Sequence, residues 1–414
     1  MSSLNKNEDF DVVIVGSDIN AYYMARNVYE AYGKKVHWIG KVSMPATALS
    51  SLGTIEYVED LWDKEKFLKV LIDYAEAHLG KKLILIGTND FYVRNIIENR
   101  EELSKYYLFN YVSEELFNDL ALKDVFYTKY ATYDIDFPKT YVFNCDGTEE
   151  FDDNKLEKLL YPVIIKPGHN VNYFKHEFPG QAKVYKLNTK EEVHEVLDKI
   201  LTSGYKNNLI LQEFIPGDDS RLFDAVIYCN TSSKAEFLTF AQIGLQERTP
   251  SGIGNCTVLV NGYNEFGGTE KICKKLKEFA EKIGYKGAGE FDLKYDIRDK
   301  KFKVLEINPR QGRSSYYATS CGFNIAEYLI DDLIYSKKKK FKLATKEVAL
   351  SFVPMRVIKK YVSNKDLKAK VIELKQKKNL INPLKFNKDM NFKRRKWLFL
   401  RGVNYCKKYK QHSW

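Results

Sequence analysis

The sequence predicts a parallel α/β domain followed by α+β structure and a basic tail, on three observations. β-Branched runs alternate with helical patterns through residues 1 to about 112, strands and helices alternate irregularly after Leu116, and the charge changes sign near residue 337. In the first part, Asp11 to Gly16 (Asp-Val-Val-Ile-Val-Gly) is an apolar run closed by glycine. A helical pattern from Ile19 to Tyr32 and a second strand from Lys35 to Ile39 follow, which is one strand-helix-strand unit of a parallel sheet. A further run, Lys82 to Gly87, ends in Thr88-Asn89-Asp90 and leads into another helical pattern, as a doubly wound domain requires. The turn Gly16-Ser-Asp-Ile-Asn-Ala lacks the Gly-x-Gly-x-x-Gly spacing that brings a pyrophosphate against the backbone, so the domain is read as structural rather than nicotinamide-binding.

After Leu116 the pattern gives a helix bearing Lys123, a turn at Pro138, a strand at Val163 to Lys166, a loop rich in glycine and aromatics, and a strand at Leu209 to Phe214. Strands resume at Arg221 to Tyr228 and Phe237 to Leu245, a helix spans Thr269 to Ile283, and a hairpin covers Gly289 to Asn308. With 414 residues and 44% hydrophobic content, the chain can bury the cores of two to four domains. No stretch reaches the roughly 18 consecutive apolar residues of a membrane span or signal core, and the six cysteines form no Cys-x-x-Cys pair. The expectation is a cytoplasmic protein with reduced thiols and no zinc site.

The net charge of +11 conceals an asymmetry. Residues 337 to 414 hold 25 Lys/Arg against 4 Asp/Glu, whereas residues 1 to 336 hold 41 against 51. A basic tail beside an acidic body suits an anionic membrane surface, an anionic substrate or nucleic acid; a solubilising extension is the plain alternative.

The richest chemical pattern is Gly-Glu-Phe-Asp-Leu-Lys-Tyr-Asp (Gly289 to Asp296), a polar turn, and Phe-Lys-Val-Leu-Glu-Ile-Asn-Pro (Phe302 to Pro309). A hairpin centred on Asp299 sets Phe291 against Ile307 and Leu293 against Leu305 on a core face. It sets Glu290 against Asn308 and Asp292 against Glu306 on an acidic one. Opposed carboxylates cost up to about 1 kcal/mol, and more when buried, unless a cation lies between them. Ligands that are all oxygen make magnesium the expected cation. The competing reading is a solvated face neutralised by Lys294 and Lys303. Against it stands the following turn, Pro309 to Ser315, whose two arginines and two serines suit phosphate and oxyanion binding.

Two further segments point to a nucleotide. Tyr161 to Gly168 ends an apolar strand at Lys166, beside a loop carrying Lys183, and such a lysine can grip phosphate while the loop closes. Leu211 to Asp219 is a strand that leaves through Pro216-Gly217 toward two acids.

Taken in order, Lys123, Lys166-Pro167, Gln212 to Gly217, Asp292 and Glu306-Ile307-Asn308-Pro309-Arg310 resemble the ATP-grasp superfamily of carboxylate-amine ligases over roughly residues 115 to 330. Within it, the loop Lys166 to Tyr173 with Phe178-Pro179-Gly180-Gln181 is similar to the D-aspartate ligase group, which acts in bacterial peptidoglycan crossbridge synthesis. The resemblance implies an ATP-grasp fold with a Rossmann-like pre-ATP-grasp domain over 1–115 and a small subdomain with the phosphate loop over 116–216. A large subdomain with the metal site over 217–336 and a basic C-terminal extension over 337–414 complete it. It also implies roles. Lys123, Lys166 and Lys183 contact the phosphates; Gln212, Glu213, Phe214 and Ile215 bind adenine; Asp219, with Asp218 as second candidate, binds ribose. Asp292, Glu306 and Asn308 hold magnesium, two ions in number, with manganese able to substitute. Arg310 and Lys166 are the catalytic residues, Arg310 steadying the acyl phosphate and the tetrahedral intermediate, and Arg313 and Ser314 meet the substrate.

The implied reaction has a substrate carboxylate attack the γ-phosphorus of ATP, releasing ADP, and an amine then attack the acyl phosphate. Its sharp form joins D-aspartate to the lysine side-chain amine of an anionic UDP-linked muramyl pentapeptide. The alternatives are another amino acid and amine, or a nucleotide-sensing or nucleic-acid-binding protein that works through its tail. Nucleic acid is not the expected partner. The tail from Asn391 to Trp414 interleaves lysine and arginine with aromatics, which suits peripheral contact with the inner membrane surface or a helix packed on the body. Asp90, Arg221 and Arg248 are candidates for the substrate pocket, set against ordinary surface or paired charges.

Overall fold

The computed structural model describes residues 9–249, 252 and 254–412; Trp414 of the aromatic tail lies outside them. The chain divides into two units. One comprises Met1–Glu114, Asp218–Phe291 and Asn308–Trp414, the other Glu115–Gly217 and Asp292–Ile307.

The first unit opens with a parallel five-stranded sheet. Its strands are β1 (Phe10–Val15), β2 (Val36–Gly40), β3 (Gly53–Tyr57), β4 (Lys82–Gly87) and β5 (Tyr107–Leu108), in the order β3-β2-β1-β4-β5. The order reverses between β1 and β4, the switch point at which such sheets present their binding crevice. The helix Ile19–Tyr32 keeps its expected bounds because both ends are capped. Asp18 accepts from the Ala21 amide at 3.1 Å, and Gly33, at φ 69°, donates to the Tyr29 carbonyl at 2.9 Å. Gly16 at the end of β1 has φ 134°, and a Cβ there would stand 1.9 Å from Thr88 Oγ1, so the tips of β1 and β4 meet only because this residue is glycine.

The second unit is built on an antiparallel sheet of β6 (Thr140–Asn144), β7 (Val163–Pro167), β8 (Tyr185–Leu187) and β9 (Asn208–Glu213), in the order β6-β9-β7-β8. Val163, Ile165, Leu209 and Leu211 bury one face of it against Val193, Leu197 and Ile200 of the helix Lys190–Thr202. The alternate residues of β7, Ile164 and Lys166, are half-buried on the other face.

The rest of the first unit carries β10 (Leu222–Cys229), β11 (Ala235–Leu238), β12 (Ala241–Gln246), β13 (Cys256–Asn261), β14 (Gly287–Asp296), β15 (Lys301–Asn308), β16 (Lys342–Leu343), β17 (Val348–Ser351) and β18 (Leu380–Ile381). They form one sheet in the order β15-β14-β10-β12-β13-β17-β18, with β11 joining β10 to β16. The C-terminal half of β14, from Asp292, and all of β15 except Asn308 belong to the second unit. Three sequence expectations change here. The strand foreseen from Phe237 to Leu245 is two, because at Thr239 the side chain replaces the ladder: its Oγ1 accepts from the Val226 amide at 2.9 Å. Leu305 is half-buried rather than core, since the buried positions of β15 run Phe302, Val304 and then Ile307, a step of three that breaks strict alternation.

The third change concerns residues 337 to 414, which do not stand apart as an extension. β17 pairs with β13, and the helix Phe392–Gln411 buries Arg394, Tyr405 and Tyr409. Arg394 is fully enclosed, bonded to the Ala46 carbonyl at 2.8 Å and stacked on Tyr22 at 3.8 Å, with Asp389 at 3.6 Å. Sequence basicity is uninformative about this, because the helix points its charges both inward and outward.

Candidate active site

In the second unit, two lysines and two carboxylates converge. Lys123 opens the helix Lys123–Lys129, and its Nζ lies 2.5 Å from Glu306 Oε2. Asp292 is hydrogen-bonded to the same Glu306 carboxyl, so the two acids foreseen on one face of the hairpin do meet. Lys303 is occupied by Asp299 at 2.5 Å, which leaves Lys123 as the lysine that neutralises Glu306. Burial alone would raise the Glu306 carboxyl, but Lys123, Asp292 and Lys166 together hold it at about 2. Burial would likewise lower Lys123, yet the Glu306 carboxylate carries it above the ordinary lysine value.

Lys166 behaves differently. It donates to Gln212 Oε1 at 3.0 Å, its ammonium stands 5.2 Å from the Tyr127 ring, and Gln212 in turn donates to Thr140 at 2.7 Å. Burial, together with repulsion from Lys123, brings Lys166 down to about 7. A lysine bonded to an amide rather than to a carboxylate regains its proton when a polyphosphate supplies negative charge. Tyr127, which the sequence did not single out, braces this corner by donating to the Leu305 carbonyl at 2.5 Å.

The segment Gln212 to Ile215 is firmly held. The Glu213 amide donates to the Lys139 carbonyl at 3.0 Å and the Phe214 amide to Pro162 at 2.9 Å. The buried Glu213 carboxylate accepts from the Leu160 amide at 3.0 Å and pairs with Arg298 at 3.4 Å, an internal strut. Phe214 lies between two ammonium groups, Lys186 at 4.1 Å and Lys294 at 5.1 Å, and Ile215 is buried. Lys183 is exposed on the loop before β8.

In the first unit, the loop after β15 is anchored at the switch point of the parallel sheet. Arg310 donates through Nε and Nη2 to both oxygens of Asp90, at 2.7 and 3.1 Å. Gln311 donates to the Gly87 carbonyl at 2.8 Å, and Tyr23 to the Gly312 carbonyl at 2.7 Å. Despite burial, Asp90 keeps the Arg310 guanidinium raised and fully charged. Burial raises the Asp18 carboxyl, opposed first by the Ala21 and Asn20 amides and then by Arg310 and Arg313. Asp90 and Asp18 follow the glycines that end β4 and β1, and that position at the carboxyl ends of strands flanking a switch point is the signal that marks them.

Ser314 Oγ lies 2.5 Å from Asp224 Oδ2 and 2.8 Å from Glu290 Oε1, both buried carboxylates. A Cβ on Gly312 would fall 1.5 Å from Glu290 Oε2, so this turn is closed to any side chain. Arg313 donates to Tyr405 at 2.8 Å and has Glu247 at 4.0 Å. Asp219 accepts from the Gln246 amide at 3.0 Å and pairs with Arg248 at 3.1 Å, while Asp218 accepts from the Ser220 amide at 3.0 Å and from Ser363. Arg221 stacks on Phe266 at 4.5 Å. Asn308 closes β15, two residues beyond Glu306.

Among the described residues no three His, Cys, Asp or Glu side chains gather as a metal cluster. The paired carboxylates of Asp292 and Glu306 fit a hard cation that takes its remaining oxygens from phosphate and water.

Several solved structures share this fold. The L-amino acid ligase of Bacillus licheniformis superposes with a TM-score of 0.56 at 14% identity, over 81% of this chain and 76% of that one. The N5-carboxyaminoimidazole synthetase of Staphylococcus aureus gives 0.59 at 12% identity, covering 84% and 83%. The biotin carboxylase domain of a 2-oxoglutarate carboxylase from Hydrogenobacter thermophilus, solved with MgADP, gives 0.60 at 13%, covering 81% and 72%. No family model matches the chain. These superpositions show the ATP-grasp fold, and together with the relation in sequence to a carbon-nitrogen ligase they define an ATP-grasp ligase that joins a carboxylate to an amine at the expense of ATP. In sequence the chain is 31% identical over 420 residues to the D-aspartate ligase of Enterococcus faecium (strain Aus0004), covering 98% of this chain and 97% of that one, and it belongs to the D-aspartate ligase family.

Proposed function

We propose that the protein activates D-aspartate as an acyl phosphate and joins it to the lysine side-chain amine of a peptidoglycan precursor, the UDP-linked muramyl pentapeptide. The observation that carries the reading is the cluster of Lys123, Lys166, Asp292 and Glu306, two cations and two carboxylates drawn together in the order a phosphoryl-transfer site uses. The family relationship supplies the substrate class.

In this reading Lys123 and Lys166, with Lys183 from the loop, hold the ATP phosphates; Gln212 to Ile215 flank adenine, and Asp219 is the ribose residue. Asp292, Glu306 and Asn308 would hold magnesium, as two ions that manganese can replace, and the metal would neutralise charge on the transferring phosphoryl group. Arg310, locked on Asp90, faces the charge that develops when the amine attacks the acyl phosphate, with Arg313 and Ser314 on the substrate side. No protein nucleophile is required, in keeping with six unpaired cysteines of which five are buried.

The outer face of the helix Phe392–Gln411 supports peripheral contact with an anionic membrane. Phe392, Phe399 and Leu400 are 82%, 70% and 53% exposed, and Lys393, Arg395, Lys396, Lys407 and Lys410 share the exposed surface.

The deciding measurement is ADP release with magnesium and ATP across D- and L-amino acids, with and without the lysine-containing precursor, beside a Glu306→Gln control. Release that needs D-aspartate and the precursor together, and disappears in the control, is the expected result. Release with a different pair moves the substrate assignment, and silence with every pair sinks the ligase reading.

A further inference from the structure

Glu247, Arg313, Arg401 and Tyr405 form a charged cluster in the first unit, and the reading above gives only Arg313 a role. They come from three places in the chain: the residue after β12, the loop after β15, and the C-terminal helix, where Arg401 and Tyr405 lie one turn apart. The Tyr405 hydroxyl accepts from Arg313 Nη2 at 2.8 Å and from Arg401 Nη2 at 3.0 Å, which ties the two guanidiniums to a single oxygen. Glu247 is the carboxylate beside them, 4.0 Å from Arg313 and only 5% exposed. Neighbouring Arg248 is already neutralised by Asp219 at 3.1 Å.

Three buried polar atoms of this cluster, Glu247 Oε1, Arg313 Nε and Arg401 Nε, have no hydrogen-bond partner among the described residues. Two guanidiniums against one carboxylate, held off water with bonding capacity unspent, is an unfavourable arrangement for a purely structural core. Arg313 keeps 23% of its side chain exposed, so the cluster opens to solvent there. A Cβ on Gly252 would stand 2.2 Å from Glu247 Cγ, so Gly252 packs directly on the Glu247 side chain.

We propose that Arg313, Arg401 and Glu247, bridged by Tyr405, form the subsite for the charges of an acidic amino acid that do not react. The free carboxylate lies on the two guanidiniums and the ammonium on Glu247. Two guanidiniums for the one carboxylate that stays free, and one carboxylate for the ammonium, match the unreacted charges of an α-amino dicarboxylate. This rests on the ligase reading and deepens it, because it places a determinant of specificity on the C-terminal helix, outside the ATP-grasp segments.

The test is calorimetric binding to the full-length protein with magnesium and a non-hydrolysable ATP analogue, using four compounds, of which aspartate is tried as both enantiomers: aspartate, alanine, 3-aminopropanoate and succinate. Arg401→Met weakens aspartate by about 30-fold or more and leaves the single-carboxylate ligands unchanged. Glu247→Gln weakens aspartate and leaves succinate, which has no ammonium, unchanged. Should Arg401→Met lower the melting temperature sharply, Arg401→Lys with Glu247→Gln carries the same comparison. Equal losses for all four ligands, or aspartate binding no better than alanine in the wild type, overturns the subsite. ADP release by the wild type with some other carboxylate would overturn the subsite alone, whereas no release with any pair would fail the ligase reading and leave the binding comparison to decide this one.

Discussion

At the scale of single residues, the two cationic anchors are built in opposite ways. Arg310 is held by a bidentate carboxylate, so its charge is fixed and its direction set by Asp90. Removing a cation aimed at a developing oxyanion costs roughly 10²- to 10³-fold in rate, and Arg310→Ala is expected to lower kcat by that order. Asp90→Asn should misdirect the guanidinium without removing it and cost about 10- to 100-fold in kcat, with KM for ATP unmoved. If Asp90→Asn proves as active as wild type, the N-terminal domain does not aim Arg310.

Lys166 lacks such a carboxylate, and its depressed value of about 7 has a measurable consequence. At pH 8 most of the nucleotide-free protein carries it neutral, while the bound polyphosphate restores its proton. ATP binding at pH 8 is therefore expected to take up protons, seen as a binding enthalpy that varies with buffer ionisation heat, and affinity should fall as pH rises above 7. The sign for stability follows from the same shift. Between pH 7 and the ordinary lysine value the unfolded chain binds the proton that the folded chain does not, so this group's contribution to stability increases with pH across that window. Buffer-independent enthalpies at pH 8 would refute the assignment.

At the scale of elements, the hairpin of β14 and β15 and the C-terminal helix carry the argument. The hairpin brings Asp292 to Glu306 while burying Phe291, Leu293 and Val304, so one element serves core and site. The C-terminal helix divides its arginines in the same fashion. Arg394 is enclosed against Asp389, which also accepts from the Ser51 amide at 2.6 Å and from Ser50 at 2.8 Å. Deleting the guanidinium leaves that buried carboxylate without its countercharge and strands the carbonyls of Ala46 and Leu384. Arg394→Ala is expected to cost about 3 to 5 kcal/mol, read as a lower urea midpoint. An unchanged midpoint would mean that the helix is not pinned there.

At the scale of the molecule, the basic tail proves to be two surfaces on one helix. Truncating residues 385 to 414 would remove Tyr405 and Tyr409 from a core and is the wrong test of membrane contact. Substituting the outer face is the right one. Phe392→Ser with Phe399→Ser, or Lys393→Glu with Lys396→Glu, should abolish co-sedimentation with anionic phospholipid vesicles while ADP release in solution persists. Equal sedimentation of wild type and variants would refute the contact. No helix among the described residues is long and apolar enough to cross a membrane.

The sequence by itself determined three of the five strands of the parallel N-terminal sheet, the helix from Ile19 to Tyr32 and the acidic hairpin, because each is written in local periodicity and in glycine or capping residues at its ends, whereas the edge strands β3 and β5 were not foreseen. It also determined which lysines and acids to watch, since Lys123, Lys166, Asp292 and Glu306 do gather. Only the tertiary structure decided that Asp90 holds Arg310, that Thr239 splits a strand, that Leu305 leaves the core and that Arg401 and Tyr405 reach Arg313. These contacts join residues as far apart as 220 positions, and a long-range pairing leaves no trace in the spacing of either partner. A lone charge reads as solvated surface until the fold brings its partner and excludes the water between them.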